Sequence, residues 1–306
     1  MNDLERIKEV IFVSNRILIT SHENPDADAI GSMLSIGLAL NKLDKLTVFY
    51  NKDGVPEVLK FLPCSEEIVS SLDLISGNFD CTLIVDSTDT SRVGDNFKNF
   101  LYTGRCGTTI IVDHHKTNKH SVDLYLLDPN SSSTGMMIYF LIKSLNIDIT
   151  PDIATNLYTT IIGDTGSFRH SNTNPQTFRV AAELVEYGAK PSEISQALYE
   201  SETPERLKLI GLVLPTLEVT NNGQVASVVL RKEMYTISGT NREDTDGIVN
   251  LPRSIKGIQV AVLFSELDKI DEDESIWKVS LRSKGEVDVS MIAERFCGGG
   301  HKKAAG

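Results

Sequence analysis

The chain has 306 residues, 41% hydrophobic and 24% charged, an ordinary globular balance that excludes disordered, collagen-like and low-complexity classes. This length corresponds to about two domains. Forty-two acidic against 30 basic residues leave a net charge of −12, which excludes a protein that grips long nucleic acid through a basic surface.

Any nucleic-acid substrate is therefore expected to be short or held by a local patch. Residues 1–212 carry 28 acidic and 18 basic groups, and 213–306 carry 14 and 12, so the acidic excess sits in the first two-thirds. Cys64, Cys81, Cys106 and Cys297 show no C-x-x-C spacing; they read as reduced thiols rather than a zinc ribbon or disulfide framework. The N-terminus lacks a basic segment followed by a long apolar one, and no run approaches the roughly 18 apolar residues of a membrane span. A soluble cytoplasmic protein with no membrane partner is expected.

Ile17–Thr20 is short, apolar and β-branched, and Ile30, Leu34, Leu38 and Leu40 follow at helical spacing. Leu46–Tyr50, Cys81–Val85 and Thr109–Val112 are further apolar runs bounded by polar or turn residues. Continuous apolar runs interleaved with helices predict a parallel sheet covered on both faces. Helical patterns recur at Met136–Leu145 and Ile153–Ile162, the second opened by Thr150-Pro151-Asp152. Residues 1–188 thus read as one α/β domain, and 189–212 as a helical linker broken by Pro204. Residues 213–306 read as a smaller domain with strands at Val225–Leu230, Ile258–Phe264 and Ile276–Leu281. Asp271-Glu272-Asp273-Glu274 reads as a solvated hairpin tip.

The acids and imidazoles fall where these strands end. His22, Asp26 and Asp28 follow the first strand, Asp86 ends the run Cys81–Val85, and Asp113-His114-His115 ends Thr109–Val112. Asp164, in Gly163-Asp164-Thr165-Gly166, ends a helix that can return to the same edge. Open parallel sheets bind ligands beyond the carboxyl ends of their strands. Each residue alone has a plainer reading: Asp86 as a turn former, Asp26 or Asp28 as a helix cap, His114 and His115 as surface residues. Together they crowd carboxylates at one place, and such a crowd repels itself unless cations neutralise it. A carboxylate-rich set with imidazole and no thiolate suits Mn²⁺, with Mg²⁺, Co²⁺ or Fe²⁺ as alternatives. Two ions roughly 3.5–4 Å apart are a common device for displacement at phosphorus, so the residues point to a two-metal phosphoesterase.

Near the other end, Gly298-Gly299-Gly300-His301 precedes the helix-prone Lys302-Lys303-Ala304-Ala305. Glycine amides at a helix start make an anion site, and Arg282 and Lys284 follow a strand that could bring them to it. The plainer reading is a flexible tail.

The ordered set His22-x-Asn24-Pro25-Asp26-x-Asp28, Val85-Asp86, Asp113-His114-His115 and Gly163-Asp164-Thr165-Gly166 resembles the DHH phosphoesterase superfamily. Arg282-Ser283 and Gly298-Gly299-Gly300-His301 resemble the DHHA1 domain that follows it in one branch. With this length and only these two domains, the chain is similar to the bacterial nano-RNase/pAp-phosphatase group. The resemblance implies an α/β DHH domain with a parallel sheet flanked by helices, a smaller α/β DHHA1 domain, and an active site in the cleft between them. His22, Asp26 and Asp86 would hold one metal, and Asp28, Asp86, His114 and Asp164 the other, with Asp86 bridging. His115 would touch the scissile phosphate, and Asp113 would orient the histidine pair. Arg282, Ser283, His301 and the amides of Gly298, Gly299 and Gly300 would grip the substrate. Relatives generally continue past the glycine-histidine motif, so a second domain cut short at Gly306 is expected.

The expected substrates are short RNA oligonucleotides and 3′-phosphoadenosine 5′-phosphate (pAp), with a homodimer as a candidate assembly. The alternative is a linear or cyclic dinucleotide phosphodiesterase acting on pGpG, pApA or c-di-AMP. Exopolyphosphatase or pyrophosphatase activity fits less well, because residues 213–306 are net acidic. A non-catalytic nucleotide sensor is disfavoured by the filled ligand positions, and a general nucleic-acid module by the charge. Arg92, His120 and His170 read as surface or structural residues, Ser131–Thr134 as a helix cap, Trp277 as core, and Cys297 as a buried small hydrophobe.

Overall fold

The computed structural model describes residues 3–115, 122–200, 202–267 and 276–306, with residue 301 by its backbone alone. His120 and the acidic stretch 271–274 lie outside the described residues. The chain divides into two compact units, Met1–Ser201 and Glu202–Gly306.

The first unit runs α1 (Asp3–Val13), β1 (Arg16–Ser21), α2 (Ala27–Asn41), β2 (Leu46–Tyr50), β3 (Ile68–Val69), β4 (Cys81–Val85), α3 (Asp95–Leu101), β5 (Thr108–Asp113), β6 (Leu124–Leu127), α4 (Thr134–Ser144), α5 (Pro151–Thr165), α6 (Pro175–Glu186) and α7 (Pro191–Tyr199). Its sheet has the order β3-β2-β1-β4-β5-β6, and every pair is parallel. The expected parallel sheet is therefore present. Alternate residues of the central strands enter two different cores. Ile17, Ile19, Leu83, Val85, Ile110 and Val112 join residues of α2, α4 and α5 on one face. Leu18, Ile84 and Ile111 join Phe97 and Phe100 of α3 on the other. Burial on both faces explains why these strands read as continuous apolar runs rather than as alternation.

The chain winds outward from β1 through β2 to β3, then returns to β4 and winds the other way. The reversal lies between β1 and β4, where an open parallel sheet leaves a crevice at its carboxyl edge. Ser21 pairs with Val85 and Val85 with Val112, so β1, β4 and β5 end level with one another. The residues that follow these three positions are His22, Asp86 and Asp113.

Helix ends bring the remaining parts to the same edge. Asp26 caps α2 through its side chain, Ser133 caps α4 by accepting from Met136 N, and α5 stops at Gly166 in the left-handed conformation. A Cβ at Gly31 would lie 2.5 Å from Thr160 Cγ2, and one at Gly135 would overlap the Thr160 side chain. Glycine at these two places lets α2 and the start of α4 press against α5.

The second unit contains α8 (Pro204–Val213), β7 (Glu218–Thr220), β8 (Val225–Leu230), α9 (Lys232–Ser238), α10 (Asn250–Ser254), β9 (Val260–Glu266), β10 (Trp277–Ser283), α11 (Ser290–Glu294), β11 (Gly300–His301) and β12 (Ala304–Ala305). Its sheet order is β11-β12-β10-β9-β8-β7, with β8 and β9 parallel and the other pairs antiparallel. The segment 189–212 is shared out: α7 places Ile194 in the first unit's core, and α8 places Leu209 in the second's. Pro191 and Pro204 each stand in the first turn of a helix, where a missing N–H costs nothing.

Four expectations in the second unit are corrected. Lys302–Ala305 do not form a helix: Lys302 and Lys303 are the turn of a hairpin between β11 and β12, and β12 pairs with β10. The amides of Gly298 and Gly299 donate to Ala293 O and Gly306 O, so they do not stand free as a helix N-terminus would leave them. Cys297 is exposed and sits at φ +61°, rather than buried. Trp277 is only partly buried, with the Arg231 guanidinium 6.0 Å from its ring centroid.

Candidate metal centre

At the carboxyl edge of the first sheet, eight residues singled out from the sequence come together: His22, Asp26, Asp28, Asp86, Asp113, His114, His115 and Asp164. The donor atoms of all but Asp113 form three overlapping groups, His22/Asp26/Asp86, Asp28/His114/Asp164 and Asp86/His114/His115, each with donor atoms within 4.8 Å of one another. Asp86 belongs to two of the three.

The histidines are held in a defined tautomer. His22 Nδ1 lies 2.8 Å from Glu23 O, and His114 Nδ1 lies 3.2 Å from Ser131 O. A carbonyl oxygen only accepts, so in the neutral rings the proton sits on Nδ1 and the lone pair on Nε2. His22 Nε2 faces Asp86 Oδ2 at 3.4 Å. His114 Nε2 faces Asp28 at 3.7 Å, Asp86 at 3.8 Å and Asp164 at 3.5 Å. That nitrogen is buried and has no hydrogen-bond partner among the described residues.

The carboxylates are anchored from behind by backbone groups. Asp26 Oδ1 accepts from Asp28 N and Ala29 N, leaving its second oxygen for the site. Asp28 accepts from Thr134 N at 2.7 Å and Gly135 N at 2.9 Å, the first amides of α4. Asp86 Oδ1 accepts from Thr134 Oγ1 at 3.0 Å. Asp86 itself has φ +54°, a left-handed conformation that Asp tolerates better than most residues. Asp113 is fully buried, and its Oδ1 accepts from both the backbone N and the Nδ1 of His115, the latter at 2.8 Å.

The electrostatics are those of a site short of positive charge. Burial, followed by the charges of Asp86, Asp164 and Asp26, pushes Asp28 well above the usual carboxylate range. Asp164 is pushed up to about 6, by burial first and by Asp86 and Asp26, against His114. Burial also acts to raise Asp86, but the close contact with His22 and the charges of protonated His115, His22 and His114 outweigh it and hold Asp86 low. The hydrogen bond to Asp113, with the charges of Asp86 and Asp113, raises His115 against burial and the Arg92 charge.

These residues fit divalent metal ions. An unpartnered buried imidazole nitrogen faces three carboxylates at 3.5–3.8 Å, too far for hydrogen bonds and roughly the spacing of ligands that each stand about 2 Å from one ion. The donors are oxygen and imidazole nitrogen without thiolate, a set that suits catalytic rather than structural metal.

The chain matches the DHH family, N-terminal domain, over residues 16–161, and the DHHA1 domain over residues 222–306. It is 36% identical over 296 residues to the bifunctional oligoribonuclease and PAP phosphatase of Thermus thermophilus, spanning 96% of this chain and 84% of that protein. The chain belongs to the DHH family of phosphoesterases. The protein of the same name from Bacillus subtilis is 30% identical over 302 residues, 97% of this chain and 90% of that one. Among solved structures, an exopolyphosphatase-related protein from Bacteroides fragilis superposes with a TM-score of 0.90 at 27% identity, covering 99% of this chain and 89% of that one.

The remaining sequence candidates lie in the second unit. Arg282 and Ser283 close β10, Gly300 and His301 form β11, and Gly298 and Gly299 lead into it. Sequence reasoning missed Thr134 and Gly135 as contributors to the centre, and it missed Asn172. Ser131–Thr134 reads as a cap from its composition, and it is one; nothing in the sequence showed that the same turn also faces Asp28 and Asp86. His170 is exposed, as expected, and its Nδ1 lies 3.3 Å from Asp164 O.

Proposed function

We propose that this enzyme is a two-metal phosphoesterase that hydrolyses short oligoribonucleotides to mononucleotides and removes the 3′-phosphate of pAp to give AMP. The observation that carries the reading is Asp86, a buried carboxylate held low, which shares one donor group with His22 and Asp26 and another with His114 and His115, while His114 in turn shares a third with Asp28 and Asp164. The similarity to oligoribonuclease/PAP phosphatases over nearly the whole of both chains supports the substrate class. The acidic chain supports short substrates, which need few phosphate contacts.

His22, Asp26 and Asp86 would hold one ion, and Asp28, Asp86, His114 and Asp164 the other, with Mn²⁺ the expected metal. When bound, two such ions polarise the phosphoryl oxygens, acidify water toward neutrality and neutralise the carboxylates. The protein's own part is positional. Asp113 fixes His115 through two hydrogen bonds and favours its protonated form, which suits His115 to donate a proton to the leaving oxygen. Glu23 O and Ser131 O fix the tautomers of His22 and His114. Arg282, Ser283, His301 and Gly300 are assigned to the substrate on the strength of the motif; the amides of Gly298 and Gly299, bonded to Ala293 O and Gly306 O, are not. We place the enzyme in the cytoplasm, in keeping with four unpaired cysteines. Among the described residues no helix is long and apolar enough to cross a membrane.

The test is product analysis of the purified protein with Mn²⁺, offered pAp, pGpG, a five-nucleotide RNA and pyrophosphate side by side. AMP from pAp together with mononucleotides from the RNA is the expected result. Cleavage of pyrophosphate alone would overturn the substrate assignment and leave the metal centre standing.

A further inference from the structure

The loop after α5 returns to the metal centre through one side chain that the reading above does not use. Asn172 Nδ2 lies 2.9 Å from Ser132 O, 3.2 Å from Asp164 O and 3.3 Å from Asp164 Oδ2. Three acceptors around one nitrogen fix the orientation of the amide, since the flipped form would set its oxygen against all of them. The other end of the amide is left wanting: Asn172 Oδ1 is buried and has no hydrogen-bond partner among the described residues. A buried polar group without a partner is costly and calls for an explanation.

The bonds that Nδ2 donates hold the amide in place against that cost. Asp164 Oδ2, on which Asn172 closes, faces His114 Nε2 at 3.5 Å. Ser132 O, which takes the other bond, belongs to a turn whose neighbours hold the rest of the same donor group. Ser131 O orients His114, Thr134 N and Gly135 N hold Asp28, and Thr134 Oγ1 holds Asp86. Ser131, Thr134 and Gly135 of this turn thus reach three of the four residues Asp28, Asp86, His114 and Asp164 directly. Asp164 comes from a different helix and is tied to the turn through Asn172.

We propose that Asn172 is a positioning residue that locks Asp164 onto the 131–135 turn and so sets the affinity of the Asp28/Asp86/His114/Asp164 site for its ion. This rests on the two-metal reading. Its loss should act on one ion and spare the other, because His22 and Asp26 do not touch Asn172 or its partners in any hydrogen bond described. A residue that merely supported the fold would weaken both.

The test is Mn²⁺ titration of chelator-stripped full-length protein, without substrate, by calorimetry and by electron paramagnetic resonance of the free ion. Wild type should bind two ions. Asn172→Ala should bind the first as wild type does and the second roughly 10- to 100-fold more weakly, the usual effect of removing a group that orients a metal ligand. In an Asp164→Ala background the further change Asn172→Ala should have little additional effect, since Asn172 acts through Asp164. Unchanged affinity for both ions in Asn172→Ala overturns the positioning role and leaves the two-metal reading intact. Equal weakening of both ions also overturns it, as does a full further loss in the Asp164→Ala background. Fewer than two ions on wild type overturns the two-metal reading and this inference with it.

Discussion

Thr134→Val removes one oxygen from the centre and almost nothing else. Valine matches threonine in shape, and Thr134 is fully buried, so the backbone amides that hold Asp28 should stay where they are. What is lost is the hydroxyl that donates to Asp86 Oδ1 at 3.0 Å. A hydrogen bond from a neutral donor to a charged acceptor contributes about 1.5–3 kcal/mol, and its removal leaves a methyl group against a buried carboxylate oxygen. Asp86 keeps its contact with His22, so the damage is to aim rather than to charge. At about 1.4 kcal/mol per decade, kcat/KM for pAp should fall roughly 10- to 100-fold at saturating Mn²⁺. Thr134→Ser, which keeps the oxygen, should stay within about threefold of wild type. Circular dichroism and a thermal melt on each variant separate this from unfolding. If valine and serine behave alike and both match wild type, the hydroxyl does not position Asp86 and the reasoning fails.

The crowding of carboxylates has a consequence for the metal-free protein. Asp164 is raised to about 6 when folded, against about 3.9 when unfolded. The folded state therefore holds a proton that the unfolded state gives up, and that stabilisation is full below the unfolded value and lost as pH rises through about 6. In excess chelator the melting temperature should fall as pH rises from about 4 to about 6.5, and Mn²⁺ should restore it at the upper end; a flat profile in chelator would contradict the crowding. In the second unit, Arg282→Ala should raise KM for pAp roughly 10- to 100-fold with a smaller change in kcat, as loss of a charge-assisted phosphate contact would. A fall in kcat alone would place Arg282 in the chemistry instead.

Much of the first unit was legible because its central strands are buried on both faces. Leu46–Tyr50 and Cys81–Val85 have the bounds their apolar runs indicate, and β1 and β5 extend the expected runs by one residue at each end. β3 and β6, at the two edges of the sheet, are too short to show a pattern. α6 was not anticipated, although Asn174-Pro175 with its capping box to Thr177 marks its start. The C-terminal hairpin was misread because Lys302–Ala305 is helix-prone by composition. Tertiary pairing decides there: Ala304 and Ala305 hydrogen-bond to β10 and β11, a context local propensity does not register.

The candidate ligands could be read because each stands directly after a strand or at a helix end, where topology alone brings them together. Thr134, Gly135 and Ser131 could not, since they act largely through backbone groups that carry no side-chain signature. Asn172 sits in a loop without periodicity, and its meaning lies in three acceptors contributed by two other elements.

Asp86 is the hinge of the account, and Asp86→Asn tests it most directly. Asn fits the same space and tolerates the φ of +54° that alanine would resist, so the variant should fold. Losing the charge that joins the two donor groups should cost about 4 kcal/mol of transition-state stabilisation, roughly a thousandfold in kcat, with native circular dichroism. AMP release from pAp within about tenfold of wild type at saturating Mn²⁺ would contradict a carboxylate shared between two metals.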